Sequence, residues 1–308
     1  RETMNASAAA ADGAAEPRGL PPRIPRRRDK PGGSARILVA ALSALALWAW
    51  LAAPLAAQSV WELSPYRMEL IVALESSPDW PPQLEAELCR DLVVRCDAVV
   101  GAVWDARASA APPALRPTLF SALDSVTAES LSEELLEADK VTLLAVTATT
   151  NGYEVAVREL DVRTRIWGPP LRRPVWQPAK LCDAAFRAVV EAFAPLARIE
   201  RGQQKTVVLR PRGGALPARD EAPTRSVPGD VFLPVVRRND REGNPRGIRE
   251  IPWTFFRVEE AAPAKLECTL YSGLRSPLSG RRRGRIEWLA LAVTPPGKPS
   301  RLVIQSRT

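Results

Sequence analysis

Histidine is absent from the 308 residues. That absence removes Ser-His-Asp and Cys-His nucleophile systems and histidine-ligated zinc together. Cysteine is sparse, at Cys89, Cys96, Cys182 and Cys268, and no C-x-x-C spacing occurs. No metal site and no cofactor is therefore expected. Cys89 and Cys96 fall on one predicted helix, about 10 Å apart by helical rise, too far for a disulfide. The thiols read as small buried hydrophobes. One bridge between separate elements stays open in an oxidising compartment. Lysine is scarce beside arginine, but a GC-rich genome gives the same bias, so arginine content alone says little about binding.

A long apolar run is present, and it is informative. ILVAALSALALWAWLAAPLAA spans residues 37–57, with Ser43 its only polar position. As a helix it would measure about 32 Å, against a bilayer core of roughly 30 Å. A basic flank, RIPRRRDKPGGSAR, precedes it, and small residues lead out of it. This is the pattern of a secretory signal peptide, with cleavage between Ala57 and Gln58. An uncleaved signal anchor, holding the chain to the membrane through 37–57, is the alternative. Either places the remainder outside the cytoplasm, as a periplasmic or secreted protein or as one anchored facing outward. Residues 1–36 form a basic leader rich in Ala, Pro, Gly and Arg, without apolar periodicity, and are expected to be disordered.

Charge divides the rest. Residues 58–200 hold 14 Lys and Arg against 21 Asp and Glu, a net of −7; residues 201–308 hold 21 against 10, a net of +11. Opposite signs suggest two domains that attract each other, or a basic face that meets an acidic partner.

Over 61–200 the pattern is that of an α/β sheet-and-helix domain. YRMELIVALE reads as a strand. After it, Ser77 or Asp79 could cap a helix whose buried face carries Leu84, Leu88, Leu92 and Cys96. DAVVGAVWD reads as a second strand, and the segment 115–140 as helix in two pieces. Glu133, Glu134 and Glu137 there read as a solvated helix start, not as acid/base chemistry. Two alternating runs flank Asn151-Gly152, the preferred pair for a type I′ hairpin turn. A further strand follows through IWGPPLRRPVW. A last helix places Cys182, Phe186, Val189, Val190 and Phe193 on one face. The order β-α-β-α-β-β-β-α suggests a helix-covered sheet, mixed or antiparallel.

From 203 to 308 periodicity becomes that of short strands: KTVVLR, GDVFLPVVRR, IPWTFFRVEE, KLECTLYSG, RIEWLALAV and RLVIQS, the last reading as a strand cut short. Strands without helices argue for a small basic β-barrel or sandwich, so the fold class is α+β. RNDREGN has too few oxygen ligands for a calcium loop and reads as a polar hairpin. Arg281, Arg282, Arg283 and Arg285 lie in a turn before the RIEWLALAV strand. They are the candidate contact for an envelope polyanion or an acidic protein. Trp253, Phe255, Phe256, Tyr271 and Trp288 could serve single-stranded nucleic acid. They fall in apolar strands, where core packing is expected, and export removes the nucleic acid.

ADKVTLLAV…NGYEVAVRELDVRT, followed by a helix ending APLARIE, resembles the middle domain of bacterial envelope proteins of the FlgT-like group. CsgG and TolB amino-terminal domains are more distant analogues. TVVLR…VPGDVFLPVVRR resembles the small barrel that closes FlgT-like proteins. The whole chain resembles exported planctomycete proteins, through ADKVTLLAV, GDVFLPVVRRNDREGNP and SGLRSPLSGRRRGR. The resemblance implies an envelope interaction or assembly role and brings no catalytic residues. The expectation is an exported, non-enzymatic envelope protein that binds a protein or polyanion. The alternatives are a membrane-anchored scaffold and a periplasmic hydrolase using carboxylates, which would need a pocket lined by Asp105, Asp161 or Asp183.

Overall fold

A computed structural model describes residues 60–77, 80–203, 205–219, 222–275, 277–278 and 285–294, all within one compact unit, Ala57–Thr308. The segment 37–57, the Ala57–Gln58 junction, Arg281–Arg283 and the run 301–306 lie outside these residues. Among the described residues no helix is long and apolar enough to cross a membrane.

The first sheet has the order β2-β1-β3-β4-β5, with β6 also paired to β4. Its strands are β1 (Tyr66–Leu74), β2 (Trp104–Ala110), β3 (Lys140–Thr149), β4 (Gly152–Asp161), β5 (Ile166–Trp167) and β6 (Leu171–Val175). β1 runs parallel to β2 and β3, while β3–β4 and the pairings beyond are antiparallel, so the sheet is mixed. Period-two alternation sorts the core. Met68, Leu70, Val72, Leu144 and Val146 face one side; Ile71, Ala73, Val141, Leu143 and Ala145 face the other. Central β3 is buried on both faces, which is why VTLLAV is continuously apolar.

Helices α1 (Leu84–Arg95) and α3 (Leu181–Ala192) cover the first face; α2 (Arg116–Ser121) covers the second. Leu88 and Leu92 of α1 are buried as the spacing requires. The start of α1 differs from expectation. Its N-cap is Gln83, without a side-chain cap, and Ser77 lies upstream of it. The expected strand at 97–105 is instead a π-helical turn, Cys96–Val100, and a 3-10 turn, Gly101–Val103. Cys96, Val100 and Val103 are buried at i, i+4, i+7, so helical periodicity wins over β-branched propensity.

The expected second helix at 131–140 is also missing. Only 3-10 turns occur after α2, at Leu123–Ser125, Ala128–Ser130 and Leu135–Glu137. A tertiary contact accounts for part of this. Arg158 on β4 donates to the carbonyls of Leu123, Asp124 and Val126 at 3.1, 2.8 and 3.2 Å, satisfying acceptors that a longer helix would have used internally. Glu133, Glu134 and Glu137 are exposed.

The β3–β4 hairpin forms, but one residue early. Thr149 pairs with Gly152, so Thr150 and Asn151 make the loop, and Asn151 is not at positive φ, as type I′ requires. Gly152 has another duty. At φ +146° a Cβ there would meet the carbonyl oxygen of Val175 at 2.5 Å, so glycine lets β6 close onto β4.

The second sheet is a closed six-stranded antiparallel barrel with one extra strand. Its order is β10-β9-β11-β12-β8-β7-β13, and β13 pairs back onto β9. The strands are β7 (Leu196–Gln203), β8 (Thr206–Pro211), β9 (Val231–Asn239), β10 (Pro245–Glu250), β11 (Thr254–Ala262), β12 (Lys265–Ser272) and β13 (Ile286–Val293). The α+β expectation with a small barrel holds. Two strands differ from expectation: β7 takes the place of a helix end, and β10 that of a turn. Phe232, Phe256, Val258, Leu209 and Ala290 fill the barrel. Val235, Leu289 and Leu291 point outward into the core of the sheet lobe, beside Leu196. The barrel wall therefore completes that core.

Candidate functional site

Of the four predicted arginines only Arg285 is described. It is exposed at the foot of β13, and its carbonyl accepts from the Asn239 N–H at 2.9 Å. The hairpin loop after Asn239 is tied by Asp240, whose carboxylate accepts from the N–H groups of Glu242 and Asn244 at 3.1 and 2.8 Å, as a polar turn would be.

The barrel aromatics correct the expectation of core packing. Phe256 is buried, but Trp253 is 83% exposed, Phe255 39% and Tyr271 41%. The register explains this. Thr254, Phe256 and Val258 face inward on β11, so Phe255 and Arg257 face out. Phe255 pairs directly with Tyr271 on β12, and the rings stack at 5.0 Å with an interplanar angle of 9°. Thr254 and Ser272 join the two strands beneath them through a 2.8 Å hydroxyl contact. Trp253 enters β11 at φ +54°, and its carbonyl accepts from Gly273 N–H at 2.9 Å. Exposed cations lie on the same strands and their flanks. Arg257 is exposed two residues along β11. Lys205 is held through its carbonyl, which accepts from Leu270 N–H at 2.7 Å. Arg275 is exposed just beyond Leu274, itself exposed. An exposed aromatic shelf with cations is thus assembled from β11, β12 and their flanks. The signal for it was in the alternation: IPWTFFRVEE puts Phe255 and Phe256 on opposite faces, so one of them must face out.

A second feature is buried. Lys140, first residue of β3, has its Nζ 3.0 Å from Glu159 Oε1 and 3.0 Å from Asp161 Oδ2, with all three side chains nearly inaccessible. Nζ also donates to the Ala194 carbonyl, and Glu159 Oε1 accepts from Ala194 N–H at 3.0 Å. The Tyr66 hydroxyl donates to the Leu196 carbonyl at 3.1 Å and accepts from its N–H at 2.9 Å. These groups grip the short segment that joins α3 to β7. Burial opposes the charge of Lys140, but Asp161 and Glu159 together hold its pKa above the ordinary lysine value. Burial raises Glu159 and also pushes the Tyr66 phenol well above its usual range. This is a structural joint. Its charges are paired with one another and with backbone.

The joint continues outward through arginines. Arg212 bonds the Asp139 carboxylate at 2.7 Å, and Arg163 forms a two-pronged pair with Glu287, both bonds 2.8 Å. Burial disfavours the Glu287 charge, yet the Arg163 bonds hold its pKa below the usual carboxylate value. Trp61 lies among three guanidinium groups, those of Arg198, Arg163 and Arg212 at 4.3, 5.3 and 5.3 Å from its ring centre. Arginines and carboxylates of both lobes thus meet here, with Arg212 of the barrel on Asp139 and Arg163 of the sheet lobe on Glu287.

The three aspartates of the hydrolase reading part company. Asp161 lines a cavity of about 700 Å³ between the end of α3 and β13. Its Oδ1 accepts from Thr164 N–H and hydroxyl at 2.7 and 2.6 Å, and its Oδ2 faces Lys140. Asp183 pairs with Arg95 at 2.6 Å and with Arg187 at 3.3 Å, and the Arg95 bond holds its pKa low. Asp105 is exposed on β2. All four cysteines are free, and Cys89, Cys96 and Cys268 are buried. Burial raises the thiols of Cys89, Cys96 and Cys268, to about 11, 12 and 12, which leaves them unreactive. Among the described residues no group of three or more Cys, Asp or Glu could hold a metal ion.

No family model matches the chain, and no curated protein does. Among solved structures it is similar to a PelC dodecamer from Paraburkholderia phytofirmans (16% identity, 42% of this chain and 84% of that one, TM-score 0.21). It is similar to TolB from Acinetobacter baumannii (12% identity, 70% and 52%, TM-score 0.24) and to a lipoprotein from Neisseria meningitidis (15% identity, 41% and 95%, TM-score 0.22). TolB was among the expected resemblances. At these TM-scores the likeness carries no argument about function.

Proposed function

We propose that this chain works outside the cytoplasm by binding, not by catalysis, and that the outer face of its barrel docks an acidic partner. A protein surface is the first candidate and an envelope polyanion the second. The observation that carries the reading is the exposed stack of Phe255 on Tyr271, on strands whose flanks also carry exposed Trp253, Arg257, Lys205 and Arg275. Contiguous exposed aromatics are unusual on a surface that stays in water. Trp, Tyr and Arg together are the side chains that dominate binding energy at protein interfaces. Location outside the cytoplasm rests on the apolar segment 37–57. A mature amino terminus at Gln58, or an intact chain in the membrane fraction, supports it; an intact chain in the cytoplasm contradicts it.

The docking reading is tested by binding the full chain to immobilised poly-glutamate and to polyuronate at several salt concentrations. The chain binds one or both, more weakly as salt rises, and the Phe255→Ala/Tyr271→Ala variant loses most of that binding. A variant that binds as well as the parent, or a parent that binds neither probe, sinks the proposal.

A further inference from the structure

A cleft of about 670 Å³ lies between the two lobes, away from the aromatic shelf. Three arginines line it, one each from β4, the β4–β5 turn and β10: Arg158, Arg165 and Arg246. Arg165 and Arg246 are each set by a local irregularity, and Arg158 by its hydrogen bonds.

Arg158 is fixed from below. Its Nη1 donates to the carbonyls of Leu123, Asp124 and Val126, its Nε donates to Gly168 O at 3.2 Å, and its guanidinium lies 4.7 Å from the Trp167 ring centre. Four carbonyls and an aromatic face hold the group rigid, while Nη2 makes no hydrogen bond among the described residues. Arg165 sits at φ +58°, a left-handed conformation that side-chain-bearing residues adopt at a cost. Asp161 holds the turn there by accepting from Thr164 just before it. Arg246 is the residue skipped where the β10–β9 register shifts between Pro245 and Gly247. A bulge of this kind re-aims a side chain. Neither Arg165 nor Arg246 has a salt bridge or side-chain hydrogen bond among the described residues.

Two carboxylates, Asp124 and Glu129, also line the cleft. Arg165 is one of the influences that lower the Glu129 pKa, after hydrogen bonds to its own backbone and to Thr127. Three positive groups therefore face two negative ones, and a singly charged ligand would compete poorly with the resident carboxylates. A planar carboxylate needs only one two-pronged guanidinium. Three guanidinium groups brought in from three elements suit a tetrahedral group with oxygens pointing several ways and a charge near two.

We propose that this cleft is a binding site for a phosphate monoester. Arg158 forms its rigid floor, and Arg165 and Arg246 close on the phosphate from the two lobes. The site is independent of the barrel shelf and can stand or fall without it.

Calorimetric titration of the full chain with glycerol 3-phosphate tests this. Inorganic phosphate, succinate and a phosphate diester, glycerophosphocholine, serve as comparison probes. The monoester binds, and the diester and succinate bind at least roughly tenfold more weakly, because each lacks the full set of charge-assisted hydrogen bonds. Arg246→Ala and Arg165→Gly each weaken the monoester by roughly tenfold or more. Glycine at 165 suits the left-handed backbone, so that variant keeps its thermal midpoint or raises it, and lost binding cannot be blamed on lost folding. Inorganic phosphate binding as tightly as glycerol 3-phosphate identifies the free ion as the ligand and overturns the ester. Succinate binding as tightly as the ester overturns the tetrahedral argument. Heat from both variants equal to that of the parent, or none from the parent at millimolar ligand, overturns the site.

Discussion

The ammonium of Lys140 stands 3.0 Å from the carboxylate of Glu159, and neither side chain reaches solvent. β3 and β4 place them opposite the α3–β7 connection, where both bond to Ala194. One ion pair therefore fixes the angle at which the chain leaves the sheet lobe and enters the barrel. Substitution by Met leaves Glu159 and Asp161 buried without their cation, and removing one member of a buried pair costs about 3–5 kcal/mol. Lys140→Met is expected to lower the unfolding free energy by about that much, seen as a lower urea midpoint at unchanged slope. A loss below about 1 kcal/mol would show that packing around Phe193, not charge, makes the joint.

The same cluster sets behaviour in alkali. Lys140 and Tyr66 both have folded-state pKa values above their ordinary ones. The folded chain keeps these protons where the unfolded chain sheds them. Their contribution is whole below the ordinary lysine and tyrosine values, about 10.4 and about 10, and is lost as pH rises past them. The buried thiols of Cys89, Cys96 and Cys268, raised by burial to about 11, 12 and 12, add to the same fall, so the comparison with Tyr66→Phe isolates the phenol. Denaturation followed from about pH 9 to about pH 11.5 is expected to show a steep fall for the parent and a shallower one for Tyr66→Phe. Parallel curves would remove Tyr66 from the account.

Much of this was legible in the sequence. The β-branched apolar runs YRMELIVAL and VTLLAV mark the central strands, and the i, i+4 leucines of 84–92 mark α1. The alternation in RIEWLA puts Leu289 toward the sheet lobe and Ala290 inside the barrel. What failed was local propensity against tertiary contact. Val99 and Val100 looked like strand, but burial of Cys96, Val100 and Val103 took the helical period. The 115–140 segment looked helical, but Arg158, far along the chain, satisfied its carbonyls. β7 was hidden because APLARIE follows a helix without a breaker other than Pro195. The buried joint and the arginine cleft were not legible at all. Lys140, Glu159, Arg165 and Arg246 lie on four elements, and nothing in their spacing announces a shared neighbourhood.

Trp253 combines two costs, a left-handed backbone and an 83% exposed indole. Glycine at this position removes both, and a residue so exposed has little packing to lose. Trp253→Gly is expected to raise stability by about 1 kcal/mol in thermal unfolding. It is also expected to weaken acidic-partner binding along with the Phe255–Tyr271 variant. Gain of stability with loss of binding marks a residue kept for function. Loss of stability would mean that Trp253 closes the barrel end and is not part of a docking face.

Between β8 and β9 no strand or helix occurs among the described residues, and Arg219 and Arg225 are exposed there. Trypsin is expected to cut there first. Two domains that merely touch would then separate under native conditions. The topology argues for a different result. The cut leaves β7 and β8 on the amino-terminal fragment, but in the barrel they pair with β13 and β12 of the other fragment. Val235, Leu289 and Leu291 of the second fragment also sit in the core of the sheet lobe. Parting the fragments would expose both cores at once, so the nicked chain is expected to elute as one species and to separate only in denaturant. Fragments that separate in native buffer would show that the sheet lobe holds together without the barrel wall, and that Leu289 and Leu291 add little to its core.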